Sequence, residues 1–185
     1  PCVPRGKLFD ALDPDVRHPV VVGDQVRLMR EGDQAGIEEV LPRRNWLSRI
    51  ASTHDPREQI LFANVDQLFV IGSLAKPPFS SNRTDRILAA CRYSEIPAHL
   101  VLNKTDLDAQ GLRADIRATY AAAGVPVHEI SALAGLGLEP LRALLAGRVT
   151  AFYGGSGAGK STLLNALEPQ FALRTGKISK YWDAG

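Results

Sequence analysis

Cysteine is scarce in this chain, and long apolar runs are missing from it. The two cysteines among 185 residues, Cys2 and Cys91, lie far apart and belong to no C-x-x-C or Cys/His pattern, which argues against a disulfide framework. No apolar run approaches the length of a membrane span, and no signal-peptide pattern is visible. We therefore expect a cytoplasmic protein without a membrane partner, in which Cys91 is a small core residue and Cys2 is incidental.

The chain also lacks an excess of charge of one sign. Its formal net charge is only +2, and residues 1–62 contain nine Lys and Arg against ten Asp and Glu. Overall charge therefore gives no reason to expect nucleic-acid binding. The four histidines, His18, His54, His99 and His128, show no metal-ligand spacing, and we expect the last two to be packed or edge residues of strands rather than catalytic groups.

Two patterns of hydrophobicity divide the sequence. Residues 1–62 contain short β-like runs at 19–22, 25–28 and 36–41, separated by Gly-Asp turns, which predict a small β-barrel. In residues 63–185, apolar runs at 68–71, 99–102, 127–130 and 149–152 alternate with helical patterns near 84–93, 109–123, 137–146 and 160–168. This alternation predicts an α/β domain, with a parallel sheet and helices on both of its faces.

A phosphate-loop motif stands late in the sequence. Gly154-Gly155-Ser156-Gly157-Ala158-Gly159-Lys160-Ser161 matches the pattern G-x-x-x-x-G-K-[ST], between a strand-like run and an apolar helical segment that begins at Thr162. Backbone N–H groups of such a loop surround the phosphates of a nucleotide, and glycine lets the backbone approach closely. We expect Lys160 to contact the β- and γ-phosphates and the Ser161 hydroxyl to bind Mg²⁺, which gives both residues catalytic roles.

A base-reading motif, Asn103-Lys104-Thr105-Asp106, follows the predicted strand that ends at residue 102. An aspartate there can accept two hydrogen bonds from N1–H and the exocyclic amine of guanine, which adenine does not offer. Lys104 can lay its aliphatic stem along the base, and Asn103 is expected to brace neighbouring loops. Taken alone, the tetrapeptide also fits a solvated turn in which Asp106 to Asp108 cap the next helix.

A third strand-end signal, Ser131-Ala132, follows the run at 125–130, where GTPases place a backbone N–H against the guanine carbonyl. The dipeptide has little specificity by itself. However, the three signals stand in one consistent order, in which the base-reading motif precedes the phosphate loop, whereas ordinary GTPases have the reverse. This order predicts a circularly permuted P-loop GTPase domain that binds GTP and GDP through residues 103–106, 131–132 and 154–162.

The sequence resembles the circularly permuted ribosome small-subunit-dependent GTPases, the RsgA (YjeQ) family. Besides the nucleotide motifs, the resemblance is carried by the stretches Gly23–Val26, Leu41–Arg49, Gln59–Asp66 and Leu173–Ser179. It implies an OB-fold, a permuted GTPase domain and a C-terminal zinc domain, in a cytoplasmic GTPase that acts late in maturation of the small ribosomal subunit. It further implies that the protein is a monomer, contacts rRNA through the OB-fold and is activated by the subunit.

Several parts of that machinery are not visible in residues 1–185. A GTPase needs a switch I threonine and a D-x-x-G loop, and in the permuted order both follow Lys160, yet Asp183-Ala184-Gly185 lacks the required spacing. Zinc ligands are likewise not in this chain, so Zn²⁺ is expected only in a further domain. We therefore expect part of a longer protein, with an N-terminally incomplete OB-fold-like domain at 1–62 and an incomplete GTPase domain at 63–185.

One short segment favours RNA binding in spite of the balanced charge. Arg43, Arg44 and Arg49 occur with Trp46 and with no acidic residue between them, a combination suited to phosphate contacts and base stacking. A solvated loop with Trp46 packed inward is the alternative.

Two other functions remain compatible with the sequence. The phosphate loop also resembles that of transport ATPases, which would make the chain an ATP-using protein, although the motif at 103–106 argues against this. The other is a non-catalytic RNA-binding module that is stabilised by a bound nucleotide.

Overall fold

In a computed structural model of the chain, the structure describes residues 2–4, 6, 8, 13–31, 34–52 and 54–175. The sequence segments 176–179 and 183–185 discussed above lie outside these residues. The chain divides into two compact units, residues 1–65 with 94–96 and residues 66–93 with 97–185. The division falls just after the boundary expected at 62/63, because a strand (Asp55–Ala63) continues past that point.

The described residues of the first unit form five strands. A three-stranded sheet has the order β1-β3-β2, from β1 (Cys2–Pro4), β2 (Val26–Glu31) and β3 (Gln34–Val40), with β2 and β3 antiparallel. β4 (Trp46–Ser52) and β5 (Asp55–Ala63) form a separate antiparallel pair. The antiparallel pairs agree with the expected OB-fold, while no ladder joins the two sheets into one closed barrel within the described ranges.

The β-like run at 19–22 is not a strand, and that expectation was wrong. Pro19 has no N–H for a ladder, and the chain then turns. The Asp24 carboxylate accepts from Val21 N at 2.8 Å, while Asp24 N donates to Val21 O at 3.2 Å. Gly23 completes this turn with φ +93°, and a Cβ there would lie 2.0 Å from Ala63 O, so turn chemistry overrides the apolar pattern.

The second unit is an α/β layer structure, as predicted. Its parallel sheet has the order β8-β7-β6-β9, formed by β6 (Gln67–Ser73), β7 (Ala98–Asn103), β8 (Val127–Glu129) and β9 (Thr150–Gly154). The connections carry α1 (Ser81–Tyr93), α2 (Leu112–Ala122) and α3 (Leu138–Leu145), and α4 (Lys160–Leu167) follows β9. Short 3-10 helices lie at Thr105–Leu107 and Pro169–Phe171.

Apolar residues cover both faces of this sheet, which explains why every residue of β6 is buried. On one face, Phe69, Ile71 and Val101 pack with Leu141 of α3 and Leu163 of α4. The other face has its own cluster, formed by Leu74, Leu100, Leu102 and Tyr120, with Leu88 and Ile116 packed against it. Each fully buried large apolar side chain stabilises the fold by about 1.5–3 kcal/mol. None of the described helices has the length and apolarity needed to span a bilayer.

His99 and His128 are packed side chains, as expected. His99 Nδ1 lies 3.0 Å from His128 Nε2, and both rings lie against Phe69. Burial lowers the pKa of each histidine from its ordinary value, and for His99 the charges of His128 and Arg148 lower it further. Cys91 is fully buried, and burial raises the pKa of its thiol to about 12, so it is an inert core residue.

Candidate nucleotide-binding site

The three motifs predicted from the sequence converge at one edge of the second unit's sheet. Asn103 ends β7, Ser131 comes two residues after β8, and Gly154 ends β9. Because these strands are parallel, their carboxyl ends lie on the same side, which is where open α/β sheets bind ligands. Residues more than 50 positions apart in the sequence are thereby brought into contact.

The phosphate loop, residues 154–161, has the close backbone packing that requires glycine. A Cβ at Gly154 would lie 2.7 Å from Ile71 O, and one at Gly159 would lie 2.3 Å from Asn103 Nδ2. Gly157 and Gly159 have φ values of +76° and +94°. The loop leads directly into α4, whose first N–H groups have no partner within the helix and can donate to an anion.

Lys160 is the first residue of α4, and its ammonium group folds back over the loop. Its Nζ donates to Gly154 O at 2.7 Å and to Gly155 O at 2.9 Å. Burial lowers the pKa of Lys160 from its ordinary value. The ammonium group can exchange these carbonyl contacts for the oxygens of a bound phosphate without moving to a different part of the site.

Ser161 and Thr162 occupy the first turn of α4 and are both partly buried. Mg²⁺ in phosphate-loop sites takes few protein ligands and completes its shell with phosphate oxygens and water, so a single hydroxyl is a sufficient donor. Clusters of three or more His, Cys, Asp or Glu able to hold a metal do not occur among the described residues. The Ser161 hydroxyl fits magnesium bound together with a nucleotide, and does not fit a metal held by protein alone.

Asn103 joins the three motifs through its side chain, as predicted for a bracing residue. Its Nδ2 donates to Ala158 O in the phosphate loop at 3.0 Å. Its Oδ1 accepts from Ala132 N at 3.0 Å and from Lys104 N at 2.8 Å. The residue is only 2% exposed, and its bonds to Ala158 and Ala132 are buried, whereas the bond from Lys104 N is partly buried.

Lys104 and Thr105 hold the base-reading motif in place. Lys104 has the left-handed backbone conformation, with φ +65°, and its Nζ donates to Gly157 O at 2.9 Å and to Lys76 O. Burial lowers the pKa of Lys104, while the charge of Asp106 acts in the opposite direction. Thr105 donates through both its backbone N, at 3.1 Å, and its Oγ1, at 3.0 Å, to Ile130 O.

A cavity of about 300 Å³ lies beside Asp106, and this volume is within the usual range for a small-ligand site. Asp106 itself is exposed, whereas Asp108 caps α2 by accepting from Leu112 N at 3.0 Å and Arg113 N at 3.1 Å. The capping alternative therefore describes Asp108 and leaves Asp106 at the cavity. The lining residues come from all three motifs and their neighbours: Ala75, Lys76, Asn103, Lys104, Asp106, Leu107, Ser131, Ala132, Leu133, Gly159 and Thr162.

Ser131 and Ala132 support the loop after β8 from within. Ser131 pairs with Leu136 through both backbone groups, and its Oγ accepts from Ala134 N at 3.2 Å. The backbone N–H of Ala132 donates to Asn103, so in this structure it is already used within the protein. Both residues line the cavity, with Leu133 exposed beside them.

Sequence reasoning missed several lining residues, among them Lys76, Leu107 and Leu133. Leu107 directly follows the base-reading motif and Leu133 directly follows Ser131-Ala132, so extending each motif by one residue finds them. Lys76 lies in the loop after β6 and belongs to no recognised pattern. Only the fold places it at the cavity.

The arginines predicted to bind RNA fall into two groups in the first unit. Arg43 forms a bidentate ion pair with Asp24, with Nε to Oδ1 at 2.7 Å and Nη2 to Oδ2 at 2.8 Å, and the two side chains are 17% and 1% exposed. The hydrogen bond to Asp24 raises the pKa of Arg43, and burial opposes that effect. This charge is neutralised within the fold, which argues for a structural role.

Arg44, Arg49 and Trp46 are exposed. Trp46 is 41% exposed and donates through Nε1 to Glu58 Oε1 at 3.3 Å, so the alternative with an inward-packed tryptophan is wrong. Arg44 Nη2 donates to Asn64 O at 3.1 Å. These three side chains lie on the surface of the first unit, where a partner can reach them.

Known proteins that match nearly all of this chain are GTPases of the family that its sequence resembles. A family model described as RsgA GTPase matches residues 40–185. Proteins named small ribosomal subunit biogenesis GTPase RsgA are similar in sequence: that of Porphyromonas gingivalis is 38% identical over 174 residues (91% of this chain and 55% of the relative), and that of Bacteroides fragilis is 37% identical over 172 residues (91% and 56%). The chain thus spans about half the length of the curated relatives it matches.

Two solved structures share the fold. YjeQ from Thermotoga maritima matches with a TM-score of 0.69 and 30% sequence identity, over 95% of this chain and 59% of that structure. YloQ, described as a circularly permuted GTPase, matches with a TM-score of 0.60 and 29% identity, over 91% and 55%. The motif order, the parallel sheet and the family model lead to one conclusion: the chain belongs to the RsgA GTPase family.

Proposed function

We propose that this chain supplies the guanine-nucleotide site of a GTPase that acts in maturation of the small ribosomal subunit. Its curated relatives carry that activity in their names, and the residues needed for nucleotide binding converge here on one sheet edge. The observation that carries the proposal is the Asn103 side chain, which joins the base-reading motif, the Ser-Ala loop and the phosphate loop through two buried hydrogen bonds and one partly buried one.

Base selection is assigned to Asp106 at the edge of the cavity. Its carboxylate accepts from N1–H and the exocyclic amine of guanine, whereas adenine presents an acceptor where N1–H would be and has no amine at that position. A site that pairs donors with acceptors rejects such an analogue strongly, because its polar groups would be left unpaired. The aliphatic stem of Lys104 covers one face of the base. The same cavity therefore disfavours the ATP-using alternative.

Phosphate binding is assigned to residues 154–162. Backbone N–H groups of the loop and of the first turn of α4 contact the phosphates, and Lys160 transfers its ammonium group from the loop carbonyls to the β- and γ-phosphate oxygens. Bound Mg²⁺, held on the protein side by the Ser161 hydroxyl, would add positive charge at the phosphates during phosphoryl transfer to water. These groups position the triphosphate and stabilise the charge that develops on it.

A competition experiment tests this proposal. GTP, GDP and ATP are titrated against the protein carrying a fluorescent guanine nucleotide, with Lys160→Ala as the variant that removes the phosphate contact. We expect GTP and GDP to displace the probe and ATP to fail at concentrations at least about 100-fold higher, as is typical of donor–acceptor rejection. Displacement by ATP at the same concentrations as GTP would overturn the guanine assignment in favour of the ATP-using alternative.

Contact with rRNA is assigned to the exposed side chains Arg44, Trp46 and Arg49 of the first unit. Arg43 is no longer included, because it is ion-paired with Asp24. Arginine neutralises phosphates, and an exposed tryptophan offers a stacking surface to an unpaired base. Because the relatives are named for small ribosomal subunit biogenesis, we further propose a cytoplasmic protein that docks on the small subunit as a monomer and is activated there.

Salt dependence of subunit binding tests the docking assignment. The double variant Arg44→Ala with Arg49→Ala should flatten the plot of log affinity against log salt, by roughly 0.7–0.9 for each rRNA phosphate that the variant no longer neutralises. The matched control, Arg27→Ala with Arg57→Ala, removes two exposed arginines of the same unit that already pair with Glu39 and Asp55. Equal slopes for wild type, variant and control would contradict the assignment.

A further inference from the structure

Arg83 in the first turn of α1 has a guanidinium group directed at the phosphate loop. A Cβ built on Gly155 would lie 2.6 Å from Arg83 Nη1, so the guanidinium approaches the Gly155 backbone where a side chain would otherwise stand. The backbone N of Arg83 is bonded to Ser80 Oγ at 3.4 Å, whereas its guanidinium forms neither an ion pair nor a hydrogen bond with any of the described residues. An exposed, unpaired cation thus lies against the loop.

The contact marks one particular end of the loop. The base end is defined by Gly159, which meets Asn103 and lines the cavity beside Asp106. The opposite end is formed by Gly154 and Gly155, whose carbonyl oxygens accept hydrogen bonds from Lys160 Nζ. In a phosphate loop this lysine reaches the β- and γ-phosphates. Arg83 therefore approaches the end of the loop that is farther from the base.

Arg83 and Lys160 therefore each place a positive charge beside Gly155. The small cavity that Arg83 shares with the loop is lined by segments 70–73, 77–80 and 153–155 and by Thr84, Ile87 and Ala158. Asp and Glu are missing from all of these positions. An anion placed between Arg83 and Lys160 would be attracted by both cations, and a planar guanidinium suits phosphate oxygens because it can donate two parallel hydrogen bonds.

We propose that Arg83 contacts the terminal phosphate of a bound nucleoside triphosphate and thereby favours GTP over GDP. The inference rests on the proposed guanine-nucleotide site and adds a specificity-determining residue to it. GDP has no group at the position that Arg83 reaches, so the contact is made with the triphosphate alone. The proposed residue lies in the helix after β6, outside all three nucleotide motifs.

The test compares dissociation constants of the full chain for GDP and for a GTP analogue that cannot be hydrolysed. Arg83→Ala should weaken the triphosphate analogue about tenfold, the usual effect of losing one hydrogen bond to a charged group, and leave GDP affinity within about twofold. Arg83→Lys, which keeps the charge and loses the planar fork of donors, should lie between wild type and alanine. Arg92→Ala, an exposed arginine in the last turn of the same helix, is the control and should change neither constant.

The possible outcomes separate the two claims. Unchanged analogue affinity in Arg83→Ala, or equal losses for analogue and GDP, would overturn the role of Arg83 and leave the guanine-nucleotide site standing. A wild-type chain that binds neither nucleotide would overturn the proposed function and the role of Arg83 with it. A loss confined to the triphosphate analogue supports both.

Discussion

Replacement of Asn103 by alanine should damage stability and nucleotide affinity together, because one side chain holds three loops. The variant removes the donor to Ala158 O and the acceptor of the N–H groups of Ala132 and Lys104. Ala132 and Ala158 are 6% and 3% exposed, so water does not readily replace the missing partner at either residue. Lys104 is only partly buried, and its N–H can turn to solvent.

The magnitude follows from these two buried groups. A buried donor or acceptor left without a partner costs about 1–3 kcal/mol, and local relaxation recovers part of that amount. We therefore expect the free energy of unfolding of the second unit to fall by about 2–4 kcal/mol. For a chain of this size, each kcal/mol lowers the melting temperature by roughly 2–4 °C.

Calorimetry and nucleotide titration on the same samples provide the assay. GTP and GDP should weaken by similar factors, since Asn103 acts on the base side and on the loop backbone rather than on the terminal phosphate. Asn165→Ala is a matched control, because that asparagine also bonds to backbone groups in both directions, with Leu173 N and O at 2.8 Å, but these two bonds are exposed to solvent. An Asn103→Ala protein with the melting temperature of the control would refute the bracing role.

Two further predictions concern charge inside the fold. Arg43→Ala should lower the free energy of unfolding by about 3 kcal/mol in urea titrations, because it strands the buried Asp24 carboxylate; reduced rRNA affinity at unchanged stability would instead restore Arg43 to the RNA surface. Folding lowers the pKa values of His99 and His128. Near and below the unfolded-state histidine pKa of about 6.5, the unfolded chain therefore binds more protons than the folded one, and the free energy of unfolding should fall as pH drops through 6.5. Urea titrations at pH 7.5, 6.5 and 5.5 should show this decline, with a flatter profile in His128→Phe; equal profiles for the two proteins would exclude the pair as its cause.

Much of the second unit is predictable from sequence because its signals are local. The apolar runs at 68–71 and 99–102 and the glycine-rich loop at 154–159 depend on periodicity and on backbone geometry, which neighbouring residues determine. Parallel strands then bring the three motifs to one edge without any further information. The brace formed by Asn103 was predictable for the same reason.

The features that sequence reasoning missed depend on long-range partners. The sequence alone predicts that Arg43 faces solvent, because its ion-pair partner Asp24 lies 19 positions away in the chain. The apolar run that begins at Pro19 forms a loop rather than a strand, because the Asp24 carboxylate bonds Val21 N and Gly23 has a positive φ. Lys76 and Arg83 follow β6 and belong to no motif. Their place at the site is known only from the fold, which packs Lys76 against Lys104 and Arg83 against Gly155.

The central claim is that Asp106 reads guanine, and exchanging its carboxylate for an amide tests it most directly. The amide of Asp106→Asn can donate to the 2-oxo group of xanthine and still accept from N1–H. Affinities for GTP and xanthosine triphosphate are measured for both proteins by the same competition titration. We expect GTP to weaken by about 1.5–3 kcal/mol, roughly 10- to 150-fold, while xanthosine triphosphate becomes the preferred ligand. Unchanged GTP affinity in Asp106→Asn would remove Asp106 from the site and contradict the account.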